Sequence, residues 1–370
     1  MKILGLHHIT LGSSDAQRTV DFYSGVLGLR FVKRTVNFDD PGSYHLYFGD
    51  ETGRPGTAIT FFEWPGAARG RPGIGGTHHF ALTVSDRDGL LQWKRRLTDL
   101  DITVHGPYDR TYFESIYFND PDGTHVEIAT RGPGFAVDEP ARQLGRRYIE
   151  PAADHVIGQR DEAAIQAEMW PEPVTGITAG MALSAGMHHI SAISSDLNRT
   201  AGFYEGLLGL QRVKMTANYD APDASDAQHW YWSTSRDARP GTLVTYFEHD
   251  PKKTHRARMG AGQTHHFALA VENDDEQLAW REKLVKAGLR VSPVMDRSYF
   301  HSIYTSDPDG HIVELATLNP GFAVDEPVSE LGATLKLPDW LEPHRAEISA
   351  GLHLLTVPRA FSAKLPTSNL

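Results

Sequence analysis

The run Leu6 to Leu11 reads LHHITL, an apolar and β-branched stretch interrupted by two adjacent histidines. Neighbours on a regular strand point to opposite faces, so His7 and His8 cannot both enter one site without a local twist or bulge. The pattern returns as THHFAL at His78-His79, MHHISA at His188-His189 and THHFAL at His265-His266. Each copy leads into an amphipathic, helix-like run, such as SSDAQRTVDFYSGVLG or DRDGLLQWKRRLTD, and then into three short strand-like runs parted by Gly, Pro and Asp turns. Asp15, Asp86 and Asp196 stand where N-caps belong, and Gly28 and Gly209 where helices end in a positive φ. The pattern predicts a β-α-β-β-β unit four times, at about 6–65, 77–130, 187–248 and 264–317.

Self-comparison turns four units into two halves. YDRTYFESIYFNDPDGTHVEIAT returns as MDRSYFHSIYTSDPDGHIVELAT, and RGPGFAVDEP as LNPGFAVDEP, with a constant offset of 187 from His79 to His266 and from Glu127 to Glu314. The predicted division is a first half over 1–132, a helix-containing linker over 133–185, a second half over 186–320 and a tail over 321–370, in which LPDWLEPHRAEISAGL forms a short helix. The loops around 38–45 and 219–229 differ in length between the halves.

Composition narrows the chemistry. With 36 Lys and Arg against 47 Asp and Glu, the net charge of −11 repels phosphate backbones and anionic lipids, which argues against nucleic-acid and membrane partners. No apolar run reaches the ~20 residues that cross a bilayer, and MKILGL is too short for a signal peptide, so a cytoplasmic location is expected. The chain has no cysteine, so any metal must be held by histidine and carboxylate.

The last strand of each unit supplies a register test. Glu127 lies four residues after Gly123 and Glu314 four after Gly310, whereas the positions four after Gly56 and Gly241 are Thr60 and Thr245. Glu63 and Glu248 lie seven after their glycines, which aims them at the opposite face. Only the second and fourth units therefore supply an inward carboxylate.

Four such units, each with a histidine pair on its first strand, resemble the vicinal oxygen chelate superfamily, which includes glyoxalases, antibiotic-resistance proteins and extradiol dioxygenases. More narrowly, LHHITL, GTHHFAL, DRxYFxSIY, DPDGxxVE and PGFAVDEP resemble the hydroquinone ring-cleaving dioxygenases of the dichlorohydroquinone dioxygenase type, over roughly residues 4 to 345. The resemblance implies an α+β fold of four βαβββ modules in two pseudo-symmetric domains with cup-shaped mixed sheets. It also implies opening of hydroquinone, or a chlorinated or alkylated hydroquinone, with O2 at non-haem Fe(II), for which Mn(II) is a plausible substitute in the same N/O site. The implied partners are a small aromatic substrate and O2, with self-association into a homo-oligomer left open.

Residue by residue, the resemblance carries the metal to His8, His266 and Glu314, which are brought together if the first and fourth modules share a site. It carries His7, His265, Arg297, Tyr304 and Thr10 to the catalytic surroundings. His79, His189 and Glu127, with Arg110 and Tyr117, form a second set. Pairing of adjacent modules instead gives His8, His79, Glu127 and His189, His266, Glu314. Thr60 in place of another carboxylate favours an oxygenase over a glyoxalase-like isomerase or lyase, and a non-catalytic binding protein is the third class. His45 and His229 are expected to pack or line pockets, and His301 in place of Glu114 to distinguish two pockets.

Overall fold

The computed structural model describes residues 1–221 and 228–358. Most of the predicted 219–229 loop, and the end of the tail, lie outside the described residues. Among the described residues no helix is long and apolar enough to cross a membrane.

Each unit forms as predicted. The first contains β1 (Leu6–Ser13), α1 (Ala16–Val20), β2 (Arg30–Asn37), β3 (Asp40–Gly49) and β4 (Ala58–Glu63). The second contains β5 (Thr77–Val84), α2 (Arg87–Asp99), β6 (His105–Asp109), β7 (Glu114–Asn119) and β8 (His125–Thr130). After α3 (Glu162–Ala167) in the linker, the third contains β9 (Met187–Ser194), α4 (Leu197–Ala201), β10 (Gln211–Ala217), β11 (Gln228–Ser233) and β12 (Leu243–Glu248). The fourth contains β13 (Thr264–Val271), α5 (Asp274–Lys286), β14 (Met295–Asp296), β15 (Phe300–Ser306) and β16 (Ile312–Pro320), followed by α6 (Arg345–Gly351) in the tail.

Local chemistry explains the ends. The side chains of Asp15, Asp86 and Asp196 accept from backbone N–H groups in the first turns of α1, α2 and α4. Asn273, a cap that the sequence reading did not single out, does the same for α5. Gly28 and Gly209 close the α1 and α4 segments at φ +70° and +76°, a region that favours glycine. Each of these segments, expected as one α-helix, widens into a π-helical turn, at Asp21–Val26 and Gly202–Leu207.

The sixteen strands form two curled, mixed sheets. One runs β14-β15-β16-β13-β1-β4-β3-β2 and the other β10-β11-β12-β9-β5-β8-β7-β6. At each centre two His-His strands run antiparallel, β1 beside β13 and β5 beside β9. The first module therefore pairs with the fourth and the second with the third, so each sheet takes one module from each sequence half. The triads expected from adjacent-module pairing do not form.

One apolar core joins the sheets and the helices. It takes Ile9 and Leu11 from β1, Phe80 and Leu82 from β5, Ile190 from β9, Val313 and Leu315 from β16, and Trp93 and Trp280 from α2 and α5. The residues between them in sequence, His8, Thr10 and Glu314, face the other side of the sheet. Glu63 and Glu248 lie away from that side, as their register predicts, and accept from Ala16 and Leu197 backbone N–H groups at the starts of α1 and α4.

Two candidate metal centres

The paired histidines are reconciled by four bulges. Where β1 meets β13, Leu6 faces Leu269 and His8 faces Ala268, leaving His7 as an extra residue; Thr10 faces His266 and Leu11 faces Thr264, leaving His265 extra. The β5–β9 pair repeats this with His78 and His188. An extra residue shifts the alternation by one, so both imidazoles of each pair come to the same face. The rings meet Nδ1 to Nδ1 at 2.9, 2.7, 2.9 and 2.7 Å in chain order. A trace of the bulge exists in the apolar pattern: Leu6, Ile9 and Leu11 all enter the core, with a step of three across His7-His8.

These bulges aim the second histidines inward. His8 Nε2 lies 3.2 Å from His266 Nε2, and Glu314 Oε2 lies 3.2 and 2.9 Å from those two nitrogens. In the other sheet His79 and His189 Nε2 are 3.1 Å apart, with Glu127 Oε2 at 2.8 and 3.3 Å. All six side chains are buried, and each trio offers ligand atoms close enough to hold one ion. Burial pushes both carboxyls up, but the neighbouring imidazoles hold them well below the usual carboxylate range.

The donor sets fit a metal. Three ligands about 2.1 Å from one ion and at right angles stand about 3.0 Å apart, against about 3.4 Å for tetrahedral angles. The observed separations of 2.8–3.3 Å let one ion reach all three donors of a trio, and histidine with carboxylate suits a divalent cation. Glu314 Oε2 and Glu127 Oε2 make no hydrogen bond among the described residues, although each is buried. A buried carboxylate oxygen held off hydrogen-bond geometry by two imidazole nitrogens is placed to share a cation with them.

The surroundings set the proton positions. His7 Nε2 lies 3.1 Å from the Thr317 carbonyl oxygen, which only accepts, so the His7 hydrogen sits on Nε2 and its Nδ1 accepts from His8 Nδ1–H. His8 Nε2 is then left with its lone pair facing the centre. His188 stands in the matching place behind His189, Nδ1 to Nδ1 at 2.9 Å. Ser302 and Ser115 donate their hydroxyls to Glu314 Oε1 and Glu127 Oε1, leaving Oε2 as the free donor of each carboxylate. Both serines stand in the SIY motif, whose tyrosine alone drew attention in the sequence.

The comparisons agree with this architecture. The model of the Glyoxalase/Bleomycin resistance protein/Dioxygenase superfamily matches residues 5–128 and 186–315. The chain belongs to this superfamily. It is 34% identical to the "Putative ring-cleaving dioxygenase MhqO" of Bacillus subtilis, over 95% of this chain and 96% of that one. It is 30% identical to the chlorohydroquinone/hydroquinone 1,2-dioxygenase of Sphingobium indicum, over 94% and 95%. A crystal structure described as a "putative dioxygenase" from Bacillus subtilis superposes with a TM-score of 0.76 at 33% identity, covering 96% of this chain and 99% of that one.

Within this superfamily fold, the other expected residues also gather at the first centre. Arg297 donates from Nε to the Tyr304 hydroxyl at 3.2 Å and pairs with Asp39 at 3.2 Å. The His266 ring lies edge-on to Tyr304, with centroids 5.5 Å apart. Thr10 contacts Thr60 at 2.8 Å, and Thr60 contacts His45 Nε2 at 3.0 Å. His45 thus lines the pocket and holds Thr60, outside the ligand trio. Arg110, Tyr117 and Asp220 repeat the arginine arrangement at the second centre.

Two expectations are corrected. His301 and Glu114 do not distinguish the pockets: they form outward pairs with Asp274 and Arg87, so the ion pair has been reversed between halves. The linker, in which the sequence revealed no chemistry, supplies Ile157 and Arg160 to the wall of the second pocket. The pockets differ in size. The cavity at His8 and His266 holds about 20 Å³, closed in by Phe38, Phe62 and Phe300, whereas that at His79 and His189 holds about 460 Å³.

Proposed function

We propose that this protein is an Fe(II)-dependent ring-cleaving dioxygenase that opens hydroquinone or a chlorinated or alkylated hydroquinone with O2 at the His8–His266–Glu314 centre. The observation that carries this reading is the convergence of three buried donors on one face, with Thr60 in the position where an isomerase would present a second carboxylate. The Thr60 hydroxyl is already engaged by Thr10 and His45. The remaining face is left to ligands from outside the protein. The chlorohydroquinone dioxygenase relative supports the same substrate class.

Fe(II) held there supplies the one-electron chemistry that lets an aromatic diol react with O2. The chain does the rest. Burial lowers the Arg297 guanidinium affinity for its proton, but Tyr304 and Asp39 outweigh that and hold it raised, so it stays a cation beside the substrate oxygens. Burial, with Glu314 nearby, raises the Tyr304 hydroxyl above the ordinary tyrosine range, so it keeps its proton and donates it to developing negative charge. His7 and His265 orient the ligand imidazoles through their Nδ1 contacts. Phe62 and Phe300 exclude water from the ring.

The test is incubation of Fe(II)-loaded protein with a hydroquinone panel, with and without air, followed by product mass. Loss of hydroquinone matched to O2 uptake, with both oxygen atoms in the product, is expected. Absence of any product gaining two oxygen atoms sinks the reading, and anaerobic turnover of a hemithioacetal points to the isomerase class instead.

A further inference from the structure

We propose that His79, His189 and Glu127 form a second metal centre in the same chain, whose cavity binds diphenols with a bulky uncharged substituent that the first centre does not admit. The ligand class rests on the dioxygenase reading above; the metal site stands without it.

Duplication can preserve residues for packing, so the second centre needs evidence of its own. Ser115 occupies Glu127 Oε1, whereas the buried Oε2 makes no hydrogen bond of ordinary geometry among the described residues and pairs only with imidazole nitrogens. A packing role would leave that oxygen in well-aligned hydrogen bonds, because a poorly satisfied buried carboxylate oxygen is costly. The imidazole Nε2 atoms face it at 2.8 and 3.3 Å. His188 holds His189 from behind through its Nδ1 contact at 2.9 Å. The donor trio, the serine on the far carboxylate oxygen and the histidine behind each ligand imidazole are therefore repeated at the second centre.

The two centres differ in what can reach them. The first cavity, about 20 Å³ between Phe38, Phe62 and Phe300, must shift those rings to take even a single unsubstituted ring, whereas about 460 Å³ lies within the range of pockets that enclose whole organic ligands. Under the 187-residue offset, Ser292, Met295 and Ile312 of the fourth module correspond to His105, Tyr108 and His125, all of which line the second cavity. The walls there are polar but offer little net charge to a ligand. Asp220 binds both cations, Arg110 at 2.7 Å and Arg160 at 2.8 Å, and Arg160 also binds Glu162 at 2.6 Å. Stacked rings such as Tyr117 on His125, with centroids 5.4 Å apart, add an aromatic surface. An uncharged aromatic or alkyl substituent fits such a chamber better than a carboxylate or a phosphate.

The experiment counts metal and then places the ligand. Metal-free wild-type, Glu127→Gln and Glu314→Gln proteins are titrated anaerobically with Fe(II), and separately with Mn(II), and bound metal is measured after gel filtration. Two ions per wild-type chain and one in each variant are expected. One ion per wild-type chain, lost in Glu314→Gln and kept in Glu127→Gln, overturns the second centre and leaves the proposed function standing. No metal in the wild type overturns both.

The Mn(II)-loaded proteins are then titrated without O2 against phenylhydroquinone. Affinity at least tenfold weaker in Glu127→Gln than in Glu314→Gln is expected, and the reverse order overturns the ligand assignment. Tyr108→Trp provides a variant that leaves the metal ligands untouched. It is expected to keep two ions while weakening phenylhydroquinone binding at least fivefold; unchanged binding overturns the cavity assignment.

Discussion

Lys33 and Glu326, 293 positions apart, meet at 2.6 Å. Lys33 is 0% exposed and Glu326 3%, and Asp325 adds a second carboxylate at 2.5 Å. Lys214 repeats the arrangement with Asp138 and Glu139 at 2.6 Å each. The VDEP segment that follows each sequence half therefore fastens the chain to a strand of another module. Breaking a buried pair by removing one partner costs about 3–5 kcal/mol, whereas replacing both by apolar groups costs far less. Lys33→Met is expected to lower unfolding stability by that amount, and Lys33→Met/Glu326→Leu to recover more than half of it. Urea denaturation of the metal-free protein checks both.

His7 stands outside the ligand trio, yet through its Nδ1 contact it fixes the tautomer of His8. Removing a group that orients a ligating imidazole typically costs 10–100-fold in metal affinity. His7→Ala is therefore expected to weaken Mn(II) binding at the first centre by about that factor while the melting temperature of the metal-free protein falls by only a few degrees. Competitive titration against a chelator measures the first quantity. Unchanged affinity would mean that Thr317 and the bulge hold nothing that the metal needs.

Much of this arrangement is legible in the sequence because repetition exposes it. The offset of 187 and the spacing of Glu314 from Gly310 mark the inward carboxylates, the family resemblance supplies the choice of His8 and His266, and the seven-residue spacing turns Glu63 and Glu248 away. Module pairing was not legible, since either pairing satisfies the same local alternation and only the β1–β13 and β5–β9 contacts decide it. Ser302 and Ser115 escaped notice because a serine on a strand carries no period or charge to mark it. Arg160 escaped because its position depends on Asp220, 60 residues away in another module.

The DPDG turns supply a pH test away from the metal centres. Burial raises the Asp307 carboxyl to about 6, despite hydrogen bonds from Tyr246 and two backbone N–H groups. A raised folded value means that the folded protein holds a proton which the unfolded chain, with a value of 3.8, releases. The stability this proton contributes is fully present below about pH 4 and is lost as pH rises through about 6. Asparagine resembles the protonated form and does not titrate. Stability of Asp307→Asn relative to wild type is thus expected to improve by about 2–3 kcal/mol between pH 4 and pH 7. Parallel denaturation curves at the two pH values measure the change, and a constant difference would refute it.

Phe38 controls the size of the first cavity. Its ring lines that cavity and meets Trp340 of the tail edge-on, with centroids 5.7 Å apart, so two apolar groups close the approach to His8 and His266. Tyr219 holds the corresponding position at the second cavity, where its hydroxyl lies 3.1 Å from Thr111. If closure by Phe38 rather than the metal trio excludes larger rings, removing it should alter selectivity without altering the donors. Phe38→Ala, assayed in the Glu127→Gln background so that only the first centre holds metal, is expected to raise kcat/KM for phenylhydroquinone at least tenfold. Its kcat for hydroquinone itself should remain within about threefold. A parallel fall in both would show that Phe38 orients the ring, and selectivity would then have to come from Phe62 and Phe300, which press on the trio from the other sides.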